Sequence, residues 1–515
     1  MRAYLISLAA VLHTDSDSNS PTRSLYMIAS QTSSLGARSS LPLVLPVNEA
    51  MGPVGELASS WVPPPLPDPG CITGDAPPSV LLDMRCYIAD LPNATTATGV
   101  TASGLPIHVT FRAARPPALS HLCVHCPGVS FSAPAPKVIA THAGVLLLRV
   151  PIHPSDFISC VKPQFWDYYV YSPAARPPRL ELLPNPYPKR FNDSEAAIVS
   201  TSGGGYVVAA LKNRIPRRDR AGGRGAFIKT EFDLHRYRSS AAGEGWVTDQ
   251  ISVEEPMRDA LVPLPWAVAD VRPYHESGKT VTIGGERGTV AWVDLWRGVI
   301  LCDVLVDGDE RPVLRDVPLP VPARGNWGRL LRDGDPSYVR DVTVGRSKGS
   351  IKYVEMEFRP PTTKTVVPDS YLEWARGGGS SKVIREGGWK VTAWSMAIPV
   401  GSWEDWRREC DVDVGDLTAV DDGTPWVSEP TSSCLRLRGS DREAILRSLP
   451  VAYPTISMDD DDDAVYLFSE VGNLEMVVAV DVRKKTLLGV AELDRQKSFG
   501  LMPSYCSSEI SSYLK

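Results

Sequence analysis

Cys123 and Cys126 form a Cys-x-x-Cys motif, with His121 and His125 beside them. Thiolate and imidazole groups at this spacing bind Zn²⁺, and the same motif serves thiol–disulfide exchange. A structural zinc site needs a second pair of ligands at suitable spacing, and none follows. Side chains three residues apart on a strand point to opposite faces, so the thiols converge only if Cys126 lies beyond the strand end. We expect both cysteines to be buried, with no metal and no cofactor.

Gly345 to Gly349 match the Gly-x-Ser-x-Gly pattern that presents the nucleophilic serine of many hydrolases. That turn requires a strand before the serine and a helix after it. Residues 351–358 instead alternate between apolar and polar types, as a strand does. The pattern therefore predicts a hairpin turn at this position and no catalytic serine.

Gly278-Lys279-Thr280 resembles the end of a phosphate-binding P-loop, in which a lysine contacts phosphate oxygens. Pro273 stands where the first glycine of that motif belongs. His275-Glu276 likewise lacks the second histidine of a zinc-protease helix. Neither motif is complete, so neither predicts a nucleotide-binding or metalloprotease site.

Five arginines crowd one segment between two predicted strands: Arg214, Arg217, Arg218, Arg220 and Arg224. Such a cluster binds phosphate, RNA or a nuclear-import receptor. It has no aromatic neighbours on which bases would stack. We interpret it as a solvated loop, with a basic partner-binding site as the alternative.

The acidic run from Asp459 to Asp463 lacks the glycine and final glutamate of a calcium loop, and we interpret it as a self-repelling turn.

Thirteen tryptophans occur in the chain. Many lie in its second half, at Trp374, Trp389, Trp394, Trp403, Trp406 and Trp426. Aromatic side chains bury large areas, so packing between structural units is one interpretation. The other is that some of them surround an exposed recognition surface.

The chain has 515 residues, with 43% hydrophobic and 22% charged residues, which is typical of folded globular proteins. The 54 basic and 60 acidic residues leave a net charge of −6, which argues against a nucleic-acid partner. The sequence contains no run of 18 apolar residues, so no membrane-spanning helix is predicted. Nine scattered cysteines suit reduced thiols, so we expect an intracellular protein in the cytoplasm or nucleus.

The elements that position these motifs are short. Residues 1–78 are rich in Ser and Pro, with ten prolines between 41 and 78, and predict a disordered leader and linker. Residues 79–500 consist of short runs rich in Val, Ile and Tyr separated by turn residues, which predicts an all-β domain. Residues 440–449 are the best candidate for a short helix, and 501–515 are expected to form a C-terminal tail.

A faint repeat indicates how these strands are arranged. Asp233, Asp294 and Asp481 each stand among apolar residues with a basic residue close behind, and Trp292 and Trp296 flank the second of them. The spacings are 61 and 187 residues, nearly one to three, as in a unit repeated at a fixed pitch. An aspartate at a strand end accepts backbone N–H groups and shapes the following turn. We therefore predict a β-propeller of about six irregular four-stranded blades.

Several stretches also match a known family. Val80-Leu81-Leu82-Asp83, Leu122 to Gly128 and above all Gly288 to Leu305, with its Trp-Val-Asp-Leu-Trp-Arg-Gly segment, resemble the grass proteins that carry domain of unknown function 1618. The resemblance runs from about residue 80 to 495. It implies a plant protein, similar to F-box-associated and kelch-like propellers, and it implies no catalytic residue.

No nucleophile, base and orienting group stand at a recognisable spacing, which leans against an enzyme. The sequence thus favours a non-enzymatic module that binds a protein partner. The alternative is an enzyme or a small-molecule or sugar-binding protein that uses a central propeller funnel. Carboxylates and a histidine at the mouth of the funnel would favour that alternative, whereas a Trp-lined loop face would favour the protein-binding module.

Overall fold

The computed structural model of the chain is an all-β protein. It describes residues 63, 77–129, 131, 135–152, 163–214, 231–239, 245–258, 274–306, 310–323, 325–326, 335–366, 382–419, 449–471, 474–494 and 504–514. Within these ranges the strands are joined by turns and by 3₁₀ segments at Pro163–Phe165, Asp193–Glu195, Pro336–Tyr338, Trp403–Asp405, Val414–Asp416 and Ile510–Tyr513. Six sheets stand in a ring as a six-bladed β-propeller, which confirms the predicted architecture.

Blades 1 to 3 take up the first half of the described chain. Blade 1 contains β1 (Val80–Asp83), β2 (Tyr87–Ile88), β3 (Ala97–Val100), β4 (Pro106–Arg112), β5 (Leu119–His125) and β27 (Tyr505–Ser508). Blade 2 contains β6 (Lys137–His142), β7 (Val145–Pro151), β8 (Trp166–Ser172) and β9 (Arg179–Leu182). Blade 3 contains β10 (Ala196–Ser200), β11 (Tyr206–Asn213), β12 (Glu231–Arg238) and β13 (Val247–Ser252).

Blades 4 to 6 follow in chain order. Blade 4 contains β14 (Lys279–Gly284), β15 (Thr289–Asp294), β16 (Gly298–Asp303) and β17 (Leu314–Pro318). Blade 5 contains β18 (Arg340–Val344), β19 (Ser350–Val366), β20 (Lys382–Ala397) and β21 (Arg407–Asp413). Blade 6 contains β23 (Val451–Ile456), β24 (Ala464–Val471), β25 (Leu474–Asp481) and β26 (Thr486–Glu492), with β22 (Thr418–Ala419) parallel to β26 at the edge.

The ring closes through the two ends of the described chain. β27 pairs antiparallel with β1, with Val80 opposite Ser508 and Leu82 opposite Cys506. We expected residues 501–515 to form a tail, but Tyr505–Ser508 are a blade strand. The reason is that β1 has an edge that only a strand from the other end of the chain can cover when the blades form a ring. The short run Tyr-Cys-Ser-Ser carries no strand signal of its own.

The core lies between blades. Apolar residues in the described ranges form six clusters, each shared by two adjacent blades. β15 shows why its sequence is continuously apolar: Val290 and Trp292 face blade 3, whereas Ala291 and Val293 face blade 5. Both faces of a blade are buried, so its strands lose the apolar–polar alternation of a half-exposed sheet.

Polar side chains join blades 3 and 4 at the same interface. The Trp292 indole donates a hydrogen bond of 2.8 Å to the carbonyl oxygen of Glu195. Thr280 and Thr282, on the inner strand β14, donate bonds of 2.8 and 2.9 Å to the carbonyl oxygens of Ala196 and Ile198. These bonds set the height of β14 relative to β10, and so determine which side chains of the two blades meet at the ring's centre.

Several local predictions are confirmed. Gly345–Gly349 form the turn between β18 and β19, and 457–463 the turn between β23 and β24. Of the six described cysteines, Cys86, Cys123, Cys126 and Cys302 are buried, as predicted for Cys123 and Cys126, and Cys410 and Cys506 are half-buried. The candidate helix at 440–449 and the leader at 1–78 lie outside the described residues, apart from 63, 77, 78 and 449. None of the helical turns in the described part of the chain has the length and apolar character that crossing a bilayer requires.

Candidate functional site

The centre of the ring encloses a channel with a volume of about 660 Å³. Residues of β27, β6, β14, β18 and β23 line it, together with Asp193 and Ser194 just before β10. Besides apolar residues, its wall holds hydroxyl groups of Thr141, Thr280, Thr282, Thr343, Thr455, Ser507 and Ser508. It also holds ten titratable side chains outside the tyrosines and cysteines, namely Arg85, Lys137, His142, Arg149, Asp193, Lys279, Arg340, Asp341, Lys348 and Glu509. The wall thus combines apolar surface with charged and hydroxyl groups.

The two ends of the channel differ. At the end where the inner strands begin lie Arg85, Lys137, Arg149 and Lys279, together with Asp193 and Asp341, and we call this end the basic mouth. Contacts around the ring place these residues at one level. Lys279 Nζ lies 2.7 Å from Asp341 Oδ1, and Asp341 Oδ2 accepts the N–H of Ile456 at 3.1 Å.

The remaining charges of the basic mouth meet at Asp193, immediately before β10. Lys137 Nζ lies 3.4 Å and Arg149 Nη2 3.3 Å from Asp193 Oδ2. Arg149 is 7% exposed, and its guanidinium lies 4.4 Å from the centroid of the Trp166 ring. That cation–π contact holds the guanidinium plane in place.

Cys506 shows that the basic side chains of different blades converge. Burial raises the pKa of the Cys506 thiol to about 11, and the charges of Lys279 in blade 4 and Lys137 in blade 2 oppose this rise. Asp341 and Asp83 add to it. The positive charges of side chains from two different blades thus act on one thiol of β27.

An aromatic cluster stands beside the basic mouth. Tyr453 lines the channel at a bulge in β23, with a left-handed backbone at φ +51°. The ring of Tyr338, which is 41% exposed, meets it edge-on at 5.2 Å. Phe358 packs on Tyr338 at 5.5 Å and Phe468 on Tyr453 at 6.1 Å. A bulky residue at positive φ costs conformational energy, and such strain concentrates at binding sites.

The opposite end holds a second polar group. His142 Nδ1 accepts the backbone N–H of Ser200 at 3.0 Å, so the proton of the neutral ring is on Nε2. Glu509 Oε1 accepts the N–H of Ala143 at 3.0 Å and pairs with Lys348 Nζ at 2.8 Å. Burial, and then the charge of Lys348, lower the pKa of His142 to about 4, while Glu509 opposes this. His142 is therefore neutral at physiological pH.

Two glycines permit close approach at this end. A Cβ at Gly284, where φ is +81°, would lie 2.7 Å from His142 Nε2. A Cβ at Gly345 would collide with the carboxylate of Asp460, which also accepts the N–H of Ser347 at 2.7 Å. Gly345 and Ser347 of the hydrolase-like motif therefore dock the acidic turn onto blade 5.

The pKa of His142 predicts a loss of stability in acid. The unfolded state takes up a proton near pH 6.5 and the folded state only near pH 4, so stability falls as the pH drops between these values. From pH 7.5 to 5, His142 alone should cost about 2 kcal/mol. His142→Asn keeps an acceptor near the Nδ1 position without the titration. Urea unfolding at both pH values should show a smaller acid loss in this variant.

His275, whose burial lowers its pKa to about 3, contributes in the same direction to both proteins. The difference between wild type and His142→Asn therefore isolates His142. Equal acid losses in the two proteins would contradict the prediction.

A buried ionic cluster supports blade 4 behind the basic mouth. Arg258 is fully buried, and its Nε donates to Asp316 Oδ1 at 2.8 Å while its Nη1 lies 3.6 Å from Asp294. Arg297 Nη2 pairs with Asp294 at 2.9 Å. Arg258 Nη1 also meets His275 Nδ1 at 2.9 Å. These charges satisfy one another and leave no open coordination site in the described structure.

The predicted aspartate repeat does not mark one position of the blade. Asp294 ends the second strand of blade 4 and accepts the N–H of Trp296 at 2.9 Å. Asp481 ends the third strand of blade 6 and accepts the N–H of Lys484 at 2.8 Å. Asp233 lies within the third strand of blade 3. The turn-forming role holds for the first two, but the regular spacing arises from unequal loops.

Two separately predicted residues do meet. Arg214 Nη1 donates to Asp233 Oδ1 at 2.9 Å across the β11–β12 pair. Arg214 is the one arginine of the basic cluster among the described residues, and it forms an ion pair with an acidic residue of its own blade. The others, Arg217, Arg218, Arg220 and Arg224, lie outside the described residues, so the partner-binding loop stays a prediction.

The zinc and tryptophan predictions also have outcomes. Cys123, Cys126 and His121 are buried at the blade 1–blade 2 interface or beside it, and the described residues contain no group of three or more His, Cys, Asp or Glu that would hold a metal.

None of the eight described tryptophans is exposed, and Trp292 and Trp296 are buried. The described surface therefore shows no Trp-lined loop face.

Most residues of the channel wall carry no recognisable sequence signal. The charged residues extend from Arg85 to Glu509 and belong to five of the six blades, so no local motif joins them. Lys279 stands out in the sequence only as part of an incomplete P-loop motif. The signal that was available is its place at the start of an inner strand, which becomes visible once the blade boundaries are known.

A comparison with curated proteins found no match. Residues 292–466 match the family model described as a protein of unknown function, DUF1618, which confirms that part of the resemblance. The match runs from β15 in blade 4 to β24 in blade 6, about a third of the chain.

Proposed function

We propose that the protein is a binding module whose ligand, a small molecule, occupies the central channel. The observation that carries this proposal is the channel of about 660 Å³, which charged side chains from five of the six blades line. Cavities of this size are typical of ligand pockets. Charged groups are costly to bury, so the charged side chains in this wall support a ligand-binding role more than a packing role.

The charged mouth and the neutral His142 favour the funnel alternative over the protein-binding module that the sequence favours. A second candidate function is that protein-binding module, with the partner protein bound at the aromatic cluster. It is supported by the exposed ring of Tyr338 next to Tyr453. Aromatic anchors of this kind contribute strongly to protein interfaces.

The expected result is that a small molecule stabilises the chain only when the channel is open. In a thermal-shift screen of neutral, anionic and cationic metabolites, a ligand at 100 times its Kd should stabilise the wild type by about 2.7 kcal/mol. Ser337→Trp places an indole at a half-buried position that lines the channel and should abolish the shift. Leu488→Trp, at a 49% exposed position on β26, is the matched control and should keep it.

Equal shifts in all three proteins would place the ligand elsewhere. If no compound shifts the wild type and a protein partner binds Tyr338→Ala less well than the wild type, the protein-binding module is the better account. If neither occurs, both candidates are wrong.

A further inference from the structure

The charge balance of the basic mouth indicates the chemical class of the ligand, an inference that rests on the proposed function. Three of the basic side chains that line this mouth, Lys137, Arg149 and Lys279, stand against two lining carboxylates, Asp193 and Asp341. These five groups carry 3 − 2 = 1 positive charge in excess. Like charges held together in a partly desolvated site repel one another, so an anion would relieve them.

The two carboxylates are engaged differently. Asp341 is fully used, because it accepts the Ile456 N–H at 3.1 Å and pairs with Lys279 at 2.7 Å. Asp193 Oδ2 instead stands between Lys137 and Arg149, at 3.4 and 3.3 Å. Both distances exceed the roughly 2.8 Å of a tight charge-assisted hydrogen bond. One carboxylate therefore serves two cations and neutralises only one.

Arg149 supplies the second observation. It is 7% exposed, lines the channel, and its buried Nε has no hydrogen-bond partner. A buried donor without an acceptor costs free energy. The guanidinium is held against Trp166, so its planar set of donors is already oriented. Planar, oriented donors of this kind suit a phosphate or carboxylate group.

We propose that the basic mouth binds a small molecule through an anionic group, a phosphate monoester or a carboxylate. Its negative charge offsets the positive charge that Lys137 and Arg149, which share Asp193, leave in excess. The anionic group lies among Lys137, Arg149 and Lys279, and the rest of the molecule extends into the channel towards the hydroxyl groups of Thr280 and Ser507.

Isothermal titration calorimetry of the full chain tests this with matched pairs of probes. Glucose 6-phosphate is compared with glucose, AMP with adenosine, and malate with glycerol. At least one anion should bind about tenfold or more tightly than its neutral counterpart, and more weakly in high salt. Binding of a phosphate ester but not of malate would identify the anionic group as a phosphate, and the reverse result would identify it as a carboxylate.

Lys137→Met and Arg149→Met should each weaken that anion by about tenfold. Each substitution leaves Asp193 paired with the other cation, so no buried carboxylate is stranded. Lys485→Met is the matched control, because Lys485 Nζ pairs with Asp416 at 3.0 Å on an exposed turn outside the channel, and it should bind the anion as the wild type does. Melting curves establish that each variant is folded.

A neutral compound that binds as tightly as its anion overturns this inference and leaves the proposed function standing. Anion binding that survives both Lys137→Met and Arg149→Met, or that Lys485→Met weakens equally, also overturns it. If none of the probes binds and no compound in the thermal-shift screen stabilises the wild type, the proposed function fails as well.

Discussion

Removing residues 505–515 should abolish the cooperative unfolding transition of the propeller. The deletion removes β27, which pairs with β1, and uncovers Leu81 and Leu82, both fully buried in the intact ring. It also removes Ile510, whose buried side chain alone is worth about 2–5 kcal/mol. Opening the ring at blade 1 adds to this cost, because β1 regains an unpaired edge. Circular dichroism during heating, with a chain lacking only Lys515 as the control, measures the effect.

Complementation sharpens that test. A synthetic peptide covering residues 503–515 should restore the unfolding transition when added to the truncated chain, because the missing strand then binds β1 in trans. A truncated chain that melts like the full chain would show that blade 1 closes the ring without β27.

Arg258→Met should destabilise the propeller by about 3–5 kcal/mol. The side chains of Arg258, Asp294 and Asp316 are all 0% exposed. Burial disfavours the charged form of Asp316, but Arg258 and the hydrogen bonds it receives outweigh this and lower its pKa. Without Arg258, Asp316 becomes a buried carboxylate with no cation, whereas Asp294 keeps Arg297.

Urea denaturation of Arg258→Met measures that loss. Arg287→Met removes an arginine that is 55% exposed, pairs with Asp303 and Glu310, and belongs to the same blade, so it should leave the free energy of unfolding nearly unchanged. Adding Asp316→Asn to Arg258→Met should recover part of the stability, since it removes the stranded charge. Equal stabilities for Arg258→Met and Arg287→Met would contradict the prediction.

The candidate site was predictable only in outline. The incomplete motifs at Cys123, Ser347 and Lys279 have structural places that their local sequence does not specify: Cys123 packs between blades 1 and 2, Ser347 lies in the β18–β19 turn, and Lys279 lines the channel. Arg149 lies in the apolar strand β7, and nothing in the local sequence distinguishes it from an arginine that points into solvent. It becomes a candidate ligand contact because Trp166 and Asp193 hold it at the channel.

The amino-acid sequence predicts an all-β chain of short strands and turns, because local periodicity and turn chemistry act between neighbouring residues. It also predicts a six-bladed propeller, although the aspartate spacing behind that prediction does not mark one position of the blade. That the strands are apolar on both faces is a property of the packed blades. Only the tertiary structure decided that Tyr505–Ser508 close blade 1 and that Lys137, Arg149 and Lys279 face one channel. The physical reason is that ring closure and charge convergence depend on the lengths and heights of six separate blades, which no local pattern specifies.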